Sequence, residues 1–232
     1  MFHFKRFSVD DALCAMKVGT DGVLLGAWAD VSGAVRILDA GCGSALIALM
    51  VAQRNAKARI TAIDIDEGAI NQSVVNVQAS PWSERIEVLL ADLRTYSLDE
   101  HYDHIVSNPP FFNDSLSSPD EQRAVARHSL TLSYDDIVVA ALRLLRPGGR
   151  LSIVLPAAEA ALFRRVAFGR MWLRRQLNIF THAGEMPKRV LMEFELSAEP
   201  IMPKVDDLSV YDTGGEYSEK YRRLTGEYYL KF

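Results

Sequence analysis

The chain has 232 residues, 49% hydrophobic and 24% charged, with a net charge of −4. A chain of this size buries a core without staples, and its composition excludes a disordered chain, a collagen and a coiled coil. Two cysteines, Cys14 and Cys42, are too few for a disulfide framework or a four-ligand zinc site, and no apolar run approaches the ~18 residues of a membrane span.

Residues 35–39 form a short β-rich run that enters a glycine loop, Asp39-Ala-Gly41-Cys-Gly43-Ser-Ala-Leu46. Residues 45–53 are apolar on nearly every side, the mark of a buried helix. Residues 59–64 read as a second strand. Asp66 can cap a helix whose Ile70, Val74 and Val77 recur at i, i+4, i+7 and which Ser80-Pro81 ends. Strands three and four fall at 86–90 and 102–106, the latter running into Ser107-Asn-Pro-Pro-Phe111. The polar stretch 113–127 is long for a connection and is expected to be functional or mobile. Ser133 and Asp136 make a capping box for a helix that carries Ile137, Ala141, Leu142 and Leu145 and stops at Arg146-Pro-Gly-Gly149. A fifth strand at 151–155, a helix at 157–168 and two strands at 173–181 and 190–196 complete the pattern. In the last strand Val190, Met192, Phe194 and Leu196 alternate with Leu191, Glu193 and Glu195, which predicts one exposed face.

Five strand–helix units followed by two directly joined strands predict an α/β, Rossmann-like fold. The sheet is expected to be mixed and seven-stranded, with helices on both faces, right-handed crossovers and the last strand antiparallel. A single domain over 1–232 is expected: an N-terminal segment 1–33, a core 34–200 and a C-terminal extension 201–232. Ligands of such sheets bind at the carboxyl ends of the strands. Asp39, Asp64, Asp92 and Asn108 end strands one to four, so four polar groups converge on one edge.

Gly41 and Gly43 let the backbone approach a ligand closely. A dinucleotide loop wants Gly or Ala where Leu46 stands, and Asp39 would repel a pyrophosphate. A cationic donor without phosphate, S-adenosyl-L-methionine, suits the loop better. Asp64 can accept from both ribose hydroxyls; its alternative, a helix cap, is a task Asp66 can perform. Ile65 is grouped with it. Asp92 can accept from the adenine amine while the Leu93 N–H donates to the ring; the alternative is an ordinary loop aspartate.

Asn108-Pro109-Pro110-Phe111 is the most specific signal. The prolines fix a rigid extended turn, so the Asn108 side-chain oxygen and the Pro109 carbonyl can accept both hydrogens of one NH2 group. That favours a pyramidal nitrogen with its lone pair aimed at a methyl donor, while Phe111 can stack on a planar substrate. No metal is required, and the histidines show no ligand spacing; His101 and His104 read as solvated. Cys42 reads as a small loop residue, not a nucleophile, and no Ser/His/Asp constellation is readable. Residues 143–189 hold ten Lys or Arg against two acids, Glu159 and Glu185. They form either one basic face or a set of arginines spread over solvated helices.

These motifs resemble the class I S-adenosylmethionine-dependent methyltransferases that act on planar amines. The stretch Lys17-Val-Gly-Thr-Asp-Gly-Val-Leu-Leu-Gly-Ala-Trp28 resembles more closely the bacterial tRNA(Val) adenine-N6 methyltransferase family. So do Ser80-Pro-Trp82, Arg127-His128, Pro187-Lys-Arg-Val190 and the tail from Tyr217 to Phe232. The resemblance runs nearly end to end and implies methylation of adenine 37, beside the anticodon, in tRNA(Val). It implies that Lys17, Thr20 and Asp21 close over the donor and that Arg127, His128, Lys188 and Arg189 face the RNA. Ala45 and Phe111 depart from the common pattern, where many methyltransferases have a third glycine and a tyrosine. The rivals are a methyltransferase acting on a protein glutamine or on guanine N2 of rRNA, and a non-catalytic module binding donor and RNA. A cytoplasmic monomer without membrane association is expected.

Overall fold

The computed structural model describes residues 1–110 and 132–232. A small hairpin, β1 (Phe2–His3) with β2 (Ser8–Val9), leads into α1 (Thr20–Trp28). The main sheet then begins with β3 (Arg36–Ala40), α2 (Leu46–Arg54), β4 (Arg59–Asp64), α3 (Glu67–Gln78), β5 (Ile86–Leu90) and β6 (Tyr102–Ser107). It continues with α4 (Tyr134–Leu144), β7 (Leu145–Pro156), α5 (Ala157–Ala167), β8 (Trp172–Phe180) and β9 (Arg189–Glu195). β10 (Lys204–Ser209) and α6 (Glu219–Thr225) close the chain.

The strand order is β10-β8-β9-β7-β6-β3-β4-β5. Strands β3 to β7 are parallel, and β9 is inserted antiparallel between β7 and β8. The expected α/β architecture is present, with eight strands in the main sheet among the described residues rather than seven. The additional strand, β10, pairs parallel with β8 at the edge; its Lys-Val-Asp-Asp run is polar because it is exposed, so it carries no core signal. The expectation of a half-exposed last strand is also corrected. β9 lies inside the sheet with both faces covered, and Val190 to Phe194 are all buried, Glu193 included.

Local chemistry explains the helices. Asp66 caps α3 by accepting from the Ala69 N–H at 2.8 Å, and Ser133 and Asp136 cap α4 reciprocally. α4 ends at Leu144; the Arg146-Pro-Gly-Gly149 segment becomes a bulge early in β7, between Leu145 and Arg150. α2 is buried on all sides because α1 covers its outer face. That packing is close: a Cβ at Gly26 would stand 2.7 Å from Met50 Sδ, and one at Gly22 3.0 Å from Leu46 Cδ2. One core cluster lies under α1 and α2, around Leu24, Ile37 and Met50. A second lies under α4 and α5, around Ile137, Phe163 and Phe194. Among the described residues no helix is long and apolar enough to cross a membrane.

Candidate active site

The carboxyl ends of β3, β4 and β6 open into a cleft of about 970 Å³, walled on its outer side by residues 14–22. Gly41, Gly43, Asp64, Ile65, Asp92, Leu93, Asn108 and Pro110 line it, with Lys17, Thr20, Asp21 and Arg189 on the outer side. Among the described residues no cluster of three or more His, Cys, Asp or Glu is arranged to hold a metal ion.

The glycine loop is held from beneath. The Gly41 and Cys42 N–H groups donate to the Ile63 carbonyl at 2.9 Å, and Ser73 Oγ donates to the Gly43 carbonyl at 2.6 Å. Gly41 and Gly43 have φ of +74° and +56°, and a Cβ at either would stand in open space. Ala45 is also left-handed, at φ 60° and ψ 23°, as the N-cap of α2. The common third glycine therefore marks a backbone requirement that this chain meets with a strained alanine.

Asp64 accepts from the Gly43 N–H at 2.9 Å and from the Asp66 N–H at 3.0 Å, which leaves lone pairs on both oxygens. Asp39 does not line the cleft. It is fully buried beneath the loop, where Oδ2 accepts from the Ala48 N–H at 2.9 Å and Oδ1 has no partner among the described residues. Burial, reinforced by Asp64, pushes its carboxyl up to about 7. By occupying the start of α2, Asp39 blocks the position a pyrophosphate would take.

Asp92 differs from its expectation as a free acceptor. Arg94 takes both its oxygens: Nε at 3.0 and 2.9 Å, Nη2 at 2.6 Å and the backbone N–H at 2.9 Å. These bonds hold the Asp92 carboxyl below its ordinary range and use its roughly four acceptor sites. The Asp-x-Arg spacing carried this signal in the sequence.

Asn108 lies just past the end of β6. Its Nδ2 donates to Met16 Sδ at 3.4 Å, and its Oδ1 is buried without a partner among the described residues. Buried acceptors are nearly always paired, so this one marks a place for a donor. Pro109 is buried and Pro110 exposed at the cleft wall. Met16 had no sequence signal; only the fold brings it across the cleft to Asn108.

Lys17 turns back on its own segment, donating to the Asp11 and Ala12 carbonyls at 2.7 and 3.2 Å. Arg189 pairs with Asp21 at 2.7 Å, joining β9 to α1 at the cleft rim. Lys188 is exposed beside it. Phe111, Arg127, His128 and the whole stretch 113–127 lie outside the described residues.

The basic run does not form one open face. Arg146, Arg150, Arg170, Arg174, Arg175 and Arg189 all pair with acids, and Arg143 donates to the Leu93 and Tyr96 carbonyls. His104, expected to be solvated, is buried on β6 with Nε2 2.9 Å from Ser152 Oγ, and Ser152 donates to Glu193 at 3.3 Å. Burial lowers the imidazole to about 4. The three residues come from three strands, so no spacing revealed them, and no solvent reaches them. Cys42 is buried in the loop with its thiol pushed up by burial, which disfavours a nucleophile.

A family model described as Methyltransferase small domain matches residues 18–162. A tRNA1(Val) (adenine(37)-N6)-methyltransferase of Phocaeicola vulgatus is 48% identical over 231 residues, covering 99% of this chain and 97% of the relative. A protein of the same name from Tolumonas auensis is 41% identical, again over 99% and 97%. Among solved structures, a predicted O-methyltransferase of Agrobacterium tumefaciens matches with a TM-score of 0.73 at 22% identity, over 90% of this chain and 96% of that one. The N-methyltransferase NodS of Bradyrhizobium japonicum in complex with S-adenosyl-L-homocysteine matches with a TM-score of 0.52 at 16% identity, over 75% and 83%. At these identities the structural likeness is one of fold.

Proposed function

The chain belongs to the methyltransferase small-domain family and, across nearly its whole length, to the tRNA1(Val) (adenine(37)-N6)-methyltransferases, and from that premise we propose how its cleft carries the reaction. The enzyme methylates the exocyclic N6 amine of adenine 37, adjacent to the anticodon, in tRNA1(Val).

The donor set suits S-adenosyl-L-methionine, which when bound supplies an electrophilic methyl group on a sulfonium. Open space beside Gly41 and Gly43 admits a ligand against the backbone, and the Asp64 carboxylate at the loop favours a cation over a phosphate. Asp64 takes the ribose hydroxyls with its unused lone pairs. Ile65, an exposed side chain, and Leu93 offer apolar contact to the adenine. Asp92, saturated by Arg94, receives the adenine amine only when an Arg94 N–H releases one of the carboxylate's lone pairs. Asp39 acts one layer below, holding the loop to the start of α2. Thr20 and Asp21 cover the cleft, and Lys17 keeps their segment folded over it.

Asn108 carries the catalytic reading. Its partnerless Oδ1 accepts one N6 hydrogen of the target adenine, and the Pro109 carbonyl accepts the other. The nitrogen lone pair is then withdrawn from the ring and aimed at the methyl group. The same acceptors stabilise the positive charge that develops on nitrogen. N6 gains the methyl group and releases one hydrogen as a proton to these acceptors or to water, so no strong base is needed. Phe111 stacks on the base, and Arg127, His128, Lys188 and Arg189 contact the RNA. The target lies in a loop and flips out at small energetic cost.

The test is methyl transfer from labelled S-adenosyl-L-methionine to unmodified tRNA1(Val) transcript, followed by nucleoside digestion and mass spectrometry. N6-methyladenosine at position 37 is expected. Donor binding without a methylated nucleoside overturns the assignment.

A further inference from the structure

A second cavity, of about 340 Å³, lies on the far side of the Val18–Thr20 wall that closes the cleft. Its other walls are aromatic. The Tyr217 and Tyr221 rings stack at 5.2 Å and 16°, and Tyr221 and Tyr229 at 6.3 Å and 28°. Phe232 stands nearly perpendicular to all three, at 83°, 89° and 89°. The stack is anchored from below, where the buried Tyr228 donates to the Met50 carbonyl at 3.1 Å and Lys5 donates to the Gly226 carbonyl at 2.6 Å. The stack itself continues to Tyr211 and Phe4; Phe232, which stands across it, is 38% exposed, and the exposed Lys231 at the rim makes no ion pair among the described residues.

We infer that this cavity takes the base of a nucleotide flanking the target adenine. The inference rests on the tRNA reading above. Three features support it. The cavity shares one thickness of chain with the methyl-transfer cleft, so it lies within reach of a neighbouring residue of the same RNA strand. Its volume is at the small end of ligand sites, roughly 300–1,000 Å³, which suits one nucleotide. The tyrosine faces are covered by one another, by Tyr211 and by Phe4, so the part-exposed Phe232 ring is the one left to meet a splayed base, with a cation at the rim for its phosphate. The C-terminal extension thereby acquires a role in holding substrate, distinct from the donor and from the reacting amine.

The experiment compares kcat/KM for tRNA1(Val) transcripts that are intact or abasic on either side of adenine 37, using wild-type enzyme, Phe232→Ala and Lys231→Glu. With wild-type enzyme one of the two abasic transcripts should lose about tenfold. Phe232→Ala should lose about tenfold on the intact transcript, lose little more on that abasic one, and keep its donor affinity by calorimetry. Equal turnover of all transcripts by wild-type enzyme overturns the site, as do equal losses by Phe232→Ala on intact and abasic RNA. If Phe232→Ala also loses donor affinity, Lys231→Glu decides: weakened tRNA turnover with intact donor binding supports the site, and unchanged turnover overturns it. Failure of the wild-type enzyme to form N6-methyladenosine on any transcript is a different result; it removes the tRNA reading itself and this inference with it.

Discussion

Two polar regions share one sheet, and they differ in how their groups are satisfied. Across β6, β7, β9 and β8, Glu193 accepts from Arg175 at 3.0 and 2.9 Å and from Ser152 at 3.3 Å. Arg150 pairs with Asp30 at 3.0 Å, Arg174 with Glu195 at 2.9 Å, and the Arg175 guanidinium lies 4.4 Å from the centre of the Trp28 ring. At the cleft and beneath its loop, Asn108 Oδ1 and Asp39 Oδ1 are buried with no partner among the described residues, and Ala45 is left-handed. Gln176 Oε1 on β8 is also buried without a partner among the described residues, so it is the place of Asn108 Oδ1 in an open cleft, and not its lack of a partner alone, that marks it for something that arrives. The ion-paired region is thus the structural one, and the cleft that holds the Asn108 oxygen is the reactive one.

The contrast breaks first, if it breaks, at Asn108. Asn108→Ala removes the unpaired acceptor and should lower kcat by about 10³-fold, near 4 kcal/mol in the barrier. Donor affinity by calorimetry should stay within a few fold. Retained turnover would mean that the unpaired oxygen has no part in the chemistry.

Glu193→Ala tests the other region. It strands Arg175 and Arg150 beside a buried gap, which should cost about 3 kcal/mol in urea unfolding. The low end of the range applies because both arginines are partly exposed and can turn to water. Donor affinity of the folded variant should be unchanged; a large loss of affinity with intact stability would reverse the assignment of the two regions.

Asp64→Asn keeps an oxygen for the Gly43 N–H but loses the charge offered to the ribose. Donor affinity should fall by about 1.5–3 kcal/mol, with kcat at saturating donor little changed. Calorimetry that shows equal affinity removes the ribose contact.

Asp39 sharpens the comparison through pH. Its carboxyl titrates near 7 in the folded chain against 3.8 ordinarily, so the folded state holds its proton more tightly than the unfolded state. That stabilisation is complete below about pH 4 and is lost as pH rises through 7. Asp39→Asn, which can still accept from the Ala48 N–H, should therefore gain Tm relative to wild type as pH rises from 4 to 7 and gain no more above it. A pH-independent difference between the two proteins would mean that Asp39 is ionised beneath the loop.

The parallel strands and their helices were legible because each announces itself within a dozen residues: Asp66 as a cap, Ser133 with Asp136 as a box, alternation from strand to helix. Asp64 and Asn108 were legible because the end of a parallel strand is a fixed address in such a sheet. What was not legible depends on contacts distant in sequence. Arg150 and Glu193 meet only when β9 enters beside β7, so the sequence left open whether the run from 143 to 189 is one basic face or a set of scattered arginines. Met16 reaches Asn108 from 92 residues away, and β10 is an edge strand without an apolar face. His104 occupies a strand position that periodicity would fill with an apolar side chain; its burial follows from Ser152, which lies on another strand.

The smallest effect is expected at Ala45, where three terms nearly cancel. Left-handed backbone costs an alanine about 1–2 kcal/mol, which glycine would recover. Glycine would also widen the unfolded ensemble, at about 0.4–1 kcal/mol, and remove a fully buried methyl group worth about 0.8 kcal/mol. Ala45→Gly should thus shift the stability measured in urea by under about 0.5 kcal/mol in either direction and leave donor affinity intact. A gain well beyond that would show that the loop holds real strain which the alanine endures. A loss of the same size would show that packing of one methyl group against α2 outweighs the backbone, and that this chain has replaced the usual glycine with a better-filled loop.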